Sequence, residues 1–244
     1  MRPVERGAWP QDDAGANIQF TEYTQARREL ISRMGEYCSY CEMRLGAALA
    51  VEHIQPKKPP NAATVDRGRE LSWDNFLLAC TNCNSSKGSS DVNLDDYIWP
   101  DRDNTFRAIK YAEGGLVSIV PGVAEVAAKN TIRLVGLDKT PDTSEASDRR
   151  WNNRREAWEM AVNAKNNLLG CNTDAIAIKR LIIDLAISKG FWSTWMTVFM
   201  DDPDMLQRLI NALPGTSKTC FDASLYTQAP EHKLCYLFHS ESTQ

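Results

Sequence analysis

CSYCEMRLGAALAVEHIQPKKPP, residues 38–60, and LSWDNFLLACTNCNSSKG, residues 71–88, carry the pattern that decides the fold. Each holds a Cys-x-x-Cys pair, Cys38 with Cys41 and Cys80 with Cys83. That spacing lets a short loop aim two thiolates at one ion, and four thiolates in a tetrahedron suit Zn²⁺. A closed set of this kind leaves no open position for catalysis, so the expected zinc is structural. The plainer alternative is two unrelated knuckles or buried thiols. The chain has 7 cysteines, and MRPVERGAWPQDDAG at its start lacks the apolar run of a signal peptide. In a reducing compartment such cysteines are more often metal ligands or buried thiols than disulfides.

Working outward, apolar residues at helical spacing (Ala26, Leu30, Ile31, Met34) predict a helix over residues 21–37. AALAVEHI, residues 47–54, and FLLAC, residues 76–80, read as short strands. Between them runs a loop with Lys57, Lys58, Arg67 and Arg69, and TNCNSSKGSS suits a turn into a short helix. Farther on, FRAIKY and LVSIV flank Glu113-Gly114-Gly115, a hairpin pattern. The rest predicts helices: 128–137, a long one opened by an Asp142-x-x-Glu145 capping box, 174–189, 191–200 and 203–213. In the long helix Trp151, Trp158, Ala161 and Leu168 share a face.

With 244 residues, 43% hydrophobic and 25% charged, the chain has the balance of an ordinary globular protein. No run of about 20 apolar residues exists, so no membrane span is expected and the protein reads as soluble and cytoplasmic. Net charge is -4, and residues 1–105 hold 12 Lys/Arg against 16 Asp/Glu. Phosphate neutralisation supplies most of the affinity of proteins that bind DNA unaided. Nucleic-acid contact here must be local or supplied by a partner.

Glu52-His53-Ile54-Gln55-Pro56 lies between the cysteine pairs, Asn75 precedes the second strand, Asn84 directly follows Cys83, and Lys87 comes three residues later. In this order the parts resemble the HNH endonuclease family with its ββα-metal fold: a Cys-x-x-Cys pair, an acidic-His-Ile-x-Pro strand, a central Asn, then a second pair followed by His or Asn and a Lys. Two positions depart from the common pattern, Glu52 where Asp is frequent and Asn84 where the type members have His. The resemblance implies that His53 is the general base of phosphodiester hydrolysis. One hard divalent ion, Mg²⁺ or Mn²⁺, takes oxygen ligands, which Glu52 and the Asn84 amide can supply. Asn75 would hold the loop and orient His53. Lys57, Lys58 and Lys87 are the candidate DNA contacts. Each also has a plainer reading: Glu52 a solvated strand residue, Asn75 a turn residue, Asn84 a turn or N-cap residue, Lys87 a surface charge.

The fold class expected is therefore α+β, a zinc-stabilised ββα-metal nuclease core in residues 1–105 and a mainly helical region in residues 106–244 that would bind a partner. CSYCEMRL, VEHIQPKKP, LSWDNFLLACTNCNSSKG, NTIRLVGLD and the late LPGTSKTCFDA resemble the Septu (PtuB-type) and retron-associated HNH endonucleases of bacterial anti-phage defence. That likeness implies DNA as substrate and control by a partner ATPase of the ABC or overcoming-lysogenisation-defect class (PtuA-like), with a retron RNA–DNA component as a further partner. The different-class rival is a zinc-stabilised scaffold that binds nucleic acid or protein without catalysis. In the second half Phe191, Trp192, Trp195 and Phe199 read as core, and Arg149, Arg150, Arg154 and Arg155 as a solvated basic face. Cys220, His232, Cys235 and His239 are metal-capable types at loose spacing, and Cys171 reads as a lone thiol.

Overall fold

The computed structural model describes residues 1–142, 148–171 and 174–221. A capping box between Glu22 and Gln25 opens a 3₁₀ turn, Tyr23–Ala26, that runs into α1 (Arg27–Met34). Ala26, Leu30 and Met34 are buried, as their spacing predicts. The helix ends three residues before Tyr37 because Gly35 takes φ 77°, outside the right-handed helical region.

Strand β1 (Ala50–His53) pairs antiparallel with β2 (Phe76–Ala79), with His53 opposite Phe76 and Ala50 opposite Ala79. The connection carries a short helix, α2 (Arg67–Leu71), whose N-cap Asp66 accepts a hydrogen bond from the Arg69 backbone N–H. All four residues of β2 are buried, so this strand lies at the centre of the domain. Cys80 caps the next helix, α3 (Thr81–Lys87), with its sulfur accepting from the Cys83 backbone N–H. Strand, strand and helix thus follow one another across the two cysteine pairs, each strand shorter than the sequence predicts.

Helix α4 (Thr105–Ala108) leads into the predicted hairpin, β3 (Ile109–Ala112) with β4 (Leu116–Ile119). Helices α5 (Glu125–Leu134), α6 (Arg150–Leu169), α7 (Ala175–Lys189), α8 (Trp192–Val198) and α9 (Pro203–Ala212) complete the chain. Asp174 and Asp202 cap α7 and α9 through their carboxylates. The expected capping box of α6 falls partly outside the described residues, at Glu145. Its first turn is met instead by Asp148, which accepts from the Arg150 backbone N–H at 3.1 Å.

Buried side chains form two cores. The first gathers Trp73, Phe76, Leu78, the four cysteines and Trp99, and continues through Ile109 and Tyr111 to Val135 and Leu137. Packing is therefore continuous across residue 105. The second holds Trp192, Trp195, Phe199, Met205 and Leu209, with Ala161 of α6 and Ile182 of α7, as the aromatic spacing predicts.

Two expectations for α6 need correction. Its buried stripe is Arg150, Arg154, Ala157, Ala161 and Ala164, and the tryptophans at 151 and 158 lie beside it, half-buried. The basic patch is accordingly split: Arg150 and Arg154 point inward, and Arg149 and Arg155 remain more open. Hydropathy ranks arginine as a surface residue, so the inward face could not be read from apolar spacing alone.

The helices grip the first cysteine pair directly. Glu42, next to Cys41, is buried and accepts from the Ser193 backbone N–H at 2.7 Å and its hydroxyl at 2.6 Å, in the first turn of α8. It also accepts from the Arg2 backbone N–H at 2.6 Å. No helix among the described residues is long and apolar enough to cross a membrane.

The β3–β4 turn depends on Gly115, at φ 74° and pressed against α6, where an added Cβ would stand 2.7 Å from the Arg155 backbone N. Gly115→Ala should combine left-handed strain with a backbone clash and destabilise the protein by about 2 kcal/mol or more. Urea denaturation should show it as a lower midpoint at unchanged slope.

Candidate active site

The four sulfurs of Cys38, Cys41, Cys80 and Cys83 converge within 4.8 Å of one another, all buried. Cys41 Sγ and Cys80 Sγ stand 3.7 Å apart. Sulfurs about 2.3 Å from a tetrahedral zinc are separated by ~3.8 Å, so the spacing fits that ion. None of these four cysteines is in a disulfide. Hydrogen bonds from Cys38, Cys41 and Cys83 hold the Cys80 thiol far below its ordinary value. Hydrogen bonds with the same neighbours push Cys41 up, and burial pushes Cys83 up. Four thiols this close oppose one another's ionisation, and a dication would relieve that competition. The donor chemistry fits zinc in a structural role.

His53 ends β1, and its Nε2 lies 3.0 Å from the Glu70 carbonyl of α2. A carbonyl only accepts, so Nε2 carries the proton and Nδ1 keeps the lone pair. Tyr23 and Phe76 hold the ring edge-on, at 4.9 and 5.3 Å between centroids. Burial pushes the imidazole below its ordinary value; the Glu70 carbonyl and Glu52 oppose this, and Lys57 and Lys87 add to it. The result is a fixed, neutral imidazole, the form a general base needs.

Asn75 supports this from below. Its Oδ1 accepts from the Gln55 backbone N–H at 2.7 Å, and its Nδ2 donates to the carbonyls of Gln55 and Arg69, each at 2.8 Å. The amide ties the segment after His53 to the helix that presents Glu70. Oxygen and nitrogen of the Asn75 amide are thus both engaged by backbone groups.

Residues 38–90 match the HNH endonuclease family. No curated protein matches the chain at a significant level.

Within the matched residues, Glu52 and Lys87 differ most from expectation. They are 2% and 1% exposed, and Lys87 Nζ lies 2.8 Å from Glu52 Oε1. The same ammonium donates to the His53 carbonyl at 2.7 Å, and the Tyr40 hydroxyl donates to Glu52 Oε2 at 2.7 Å. Lys87 is thus an internal cation where a phosphate contact was expected, and Glu52 offers no open oxygen. Alternation along β1 explains the arrangement, because neighbours on a strand face opposite ways. Asn84 is half-buried on α3, and its amide makes no hydrogen bond among the described residues. For a divalent ion the expected donors fit only in part, Asn84 open and Glu52 occupied.

Of the other lysines expected at DNA, Lys58 is exposed, while Lys57 sits 4.3 Å over the Tyr23 ring and 3.2 Å from Glu70. Sequence reasoning missed Tyr40, Glu70 and Arg150. Glu70 acts on His53 through a backbone carbonyl, which any residue type supplies. Arg150 donates from Nη1 to Cys83 Sγ at 3.1 Å, across 67 residues of sequence. Among the metal-capable residues of the tail, Cys220 is buried, and His232, Cys235 and His239 lie outside the described residues.

Lys87→Met should leave the Glu52 charge buried without its partner and cost about 3–5 kcal/mol, read as a fall in thermal midpoint. Lys58→Ala should leave the midpoint unchanged. Cys80→Ser should lose zinc by elemental analysis together with the structure of residues 38–90 by circular dichroism, since metal binding and folding are coupled.

Proposed function

We propose that the protein is a metal-dependent HNH endonuclease that hydrolyses phosphodiester bonds in DNA. The carrying observation is His53, whose Nε2 is committed to the Glu70 carbonyl so that Nδ1 is left to accept a proton. His53 Nδ1 would take the proton of a water whose oxygen attacks phosphorus. The P–O3′ bond then breaks, leaving a 5′-phosphate, and the departing 3′ oxygen takes a proton from solvent water to become the 3′-hydroxyl. Asn75 keeps the imidazole at its station, and the zinc knuckle holds Asn84 at the first turn of α3. A divalent ion, Mg²⁺ or Mn²⁺, supplies charge relief at the scissile phosphate when bound. Asn84 is the open donor for it, with Glu52 joining only on parting from Lys87.

The wider role proposed is that of an effector in anti-phage defence, held by a partner ATPase of the ABC or overcoming-lysogenisation-defect class. The low basic content of residues 1–105 supports dependence on a partner for DNA affinity. The engaged oxygens of Glu52 favour, as second reading, a zinc-stabilised scaffold without catalysis.

One variant separates the two. His53→Ala should lower plasmid cleavage, assayed with Mg²⁺ or Mn²⁺ and any co-purifying ATPase, by at least about 10²-fold, with zinc content and circular dichroism unchanged. Cellular activity that survives this substitution would support the scaffold. In the wild-type protein, the depressed His53 keeps its base form as pH falls past the ordinary 6.5 of an imidazole. The acid limb of kcat/KM should therefore lie below that value.

A further inference from the structure

Zinc bound by four thiolates carries two net negative charges, and here all four sulfurs are buried. A buried charge is costly without a counter-charge or hydrogen-bond donors. Besides the Cys83 backbone N–H, which donates to Cys80 Sγ, the described donor to these sulfurs is a side chain of α6, more than 60 positions beyond the second cysteine pair. Arg150, 2% exposed, donates from Nη1 to Cys83 Sγ at 3.1 Å and to the Val135 carbonyl at 2.7 Å. Its outer edge, Nε and Nη2, is taken by Asp148 at 3.0 and 2.7 Å. The ion pair is oriented with its positive end toward the sulfur.

Arg154, one turn along α6, is also 2% exposed, and no carboxylate pairs with it among the described residues. It donates to the carbonyls of Gly115 at 2.9 Å and Leu137 at 3.1 Å and lies over the Tyr111 ring, while its Nη1 has no hydrogen-bond partner. Its charge sits on the same buried stripe of α6 as Arg150, one turn from the guanidinium that meets Cys83 Sγ, and a buried guanidinium without a carboxylate is eased by an anionic cluster such as a zinc–thiolate set. Asp148 adds a second tie, accepting from Asn82 Nδ2 at 3.0 Å within the second Cys-x-x-Cys loop.

We infer that Arg150 and Arg154 are the counter-charge of the zinc–thiolate cluster, so that α6 holds the knuckle bearing Asn84 and the bound metal in turn holds α6. This rests on the four cysteines being a zinc site. Arg150 and Arg154 are positioning residues, acting on Asn84 through Cys83 and its loop. The chemistry differs from a surface salt bridge, because both partners are removed from water and each leaves a buried charge when the other is lost.

The test uses the full chain, with Arg150→Gln, Arg150→Lys and Arg154→Gln beside Arg155→Gln, a more exposed neighbour. Zinc transfer to a chromophoric chelator should be about ten times faster or more in Arg150→Gln and Arg154→Gln, the usual scale for losing an outer-shell partner. Arg155→Gln should match wild type. In cobalt-reconstituted protein the thiolate-to-cobalt charge-transfer band should move in Arg150→Gln and return most of the way in Arg150→Lys. Wild-type release rates and an unmoved band in both glutamine variants would overturn the inference. Should those variants fail to fold, cadmium-113 wild-type protein decides, since the Nη1–H···S bond predicts a cadmium coupling on a slowly exchanging guanidinium proton. The absence of that coupling overturns the inference equally. If the wild-type chain binds neither cobalt nor cadmium through thiolates, the zinc reading fails instead, a result distinct from both.

Discussion

Four sulfurs brought to one point, from loops whose cysteines are 39 residues apart in sequence, set the terms for the rest of the molecule. Each two-stranded sheet is only four residues long, too short to be stable alone in water. The cysteine cluster joins the loop before β1 to the start of α3, and the hairpin between them inherits that rigidity. Neighbouring side chains then satisfy what the cluster imposes. Glu42 ties the first loop to α8, and Asp148 and Arg150 tie the second loop to α6. The helical region therefore forms the far wall of the cysteine cluster as well as a core of its own.

The same rigidity separates two adjacent residues into different jobs. Glu52 turns inward, where Tyr40 and Lys87 satisfy both of its oxygens, and His53 turns outward to the Glu70 carbonyl. Lys87 also bonds the His53 carbonyl, so one ammonium joins the buried carboxylate, the strand end and α3. The imidazole is fixed by one hydrogen bond to α2 and by two aromatic rings, with Asn75 fastening α2 to the segment after the strand. In the proposed role of general base, His53 would gain from such preorganisation because little motion remains to be arrested before the proton moves.

Much of the domain was legible in the sequence because its signals are local. Paired cysteines at fixed spacing, a histidine after an acid at a strand end, and glycines in a hairpin turn each impose chemistry on immediate neighbours. The aromatic run Phe191, Trp192, Trp195 and Phe199 was legible for the same reason, since apolar area at helical spacing is buried whatever it meets. Asn75 reads in the sequence as a residue that holds the loop, and its three hydrogen bonds join the Gln55 backbone to the Arg69 carbonyl.

The tertiary structure decided where the charges went. Lys87, Glu52, Arg150 and Arg154 all belong to residue types that a sequence assigns to water, and all four are buried. Little local marks them, because the partners that complete their burial lie elsewhere in the chain: Tyr40 for Glu52, and for Arg150, beyond the nearby Asp148, a sulfur 67 residues away. Hydrophobic pattern and ligand spacing are properties of a segment and can be read along the chain. Charge compensation is a property of pairs across space, and only the folded chain shows which pairs form.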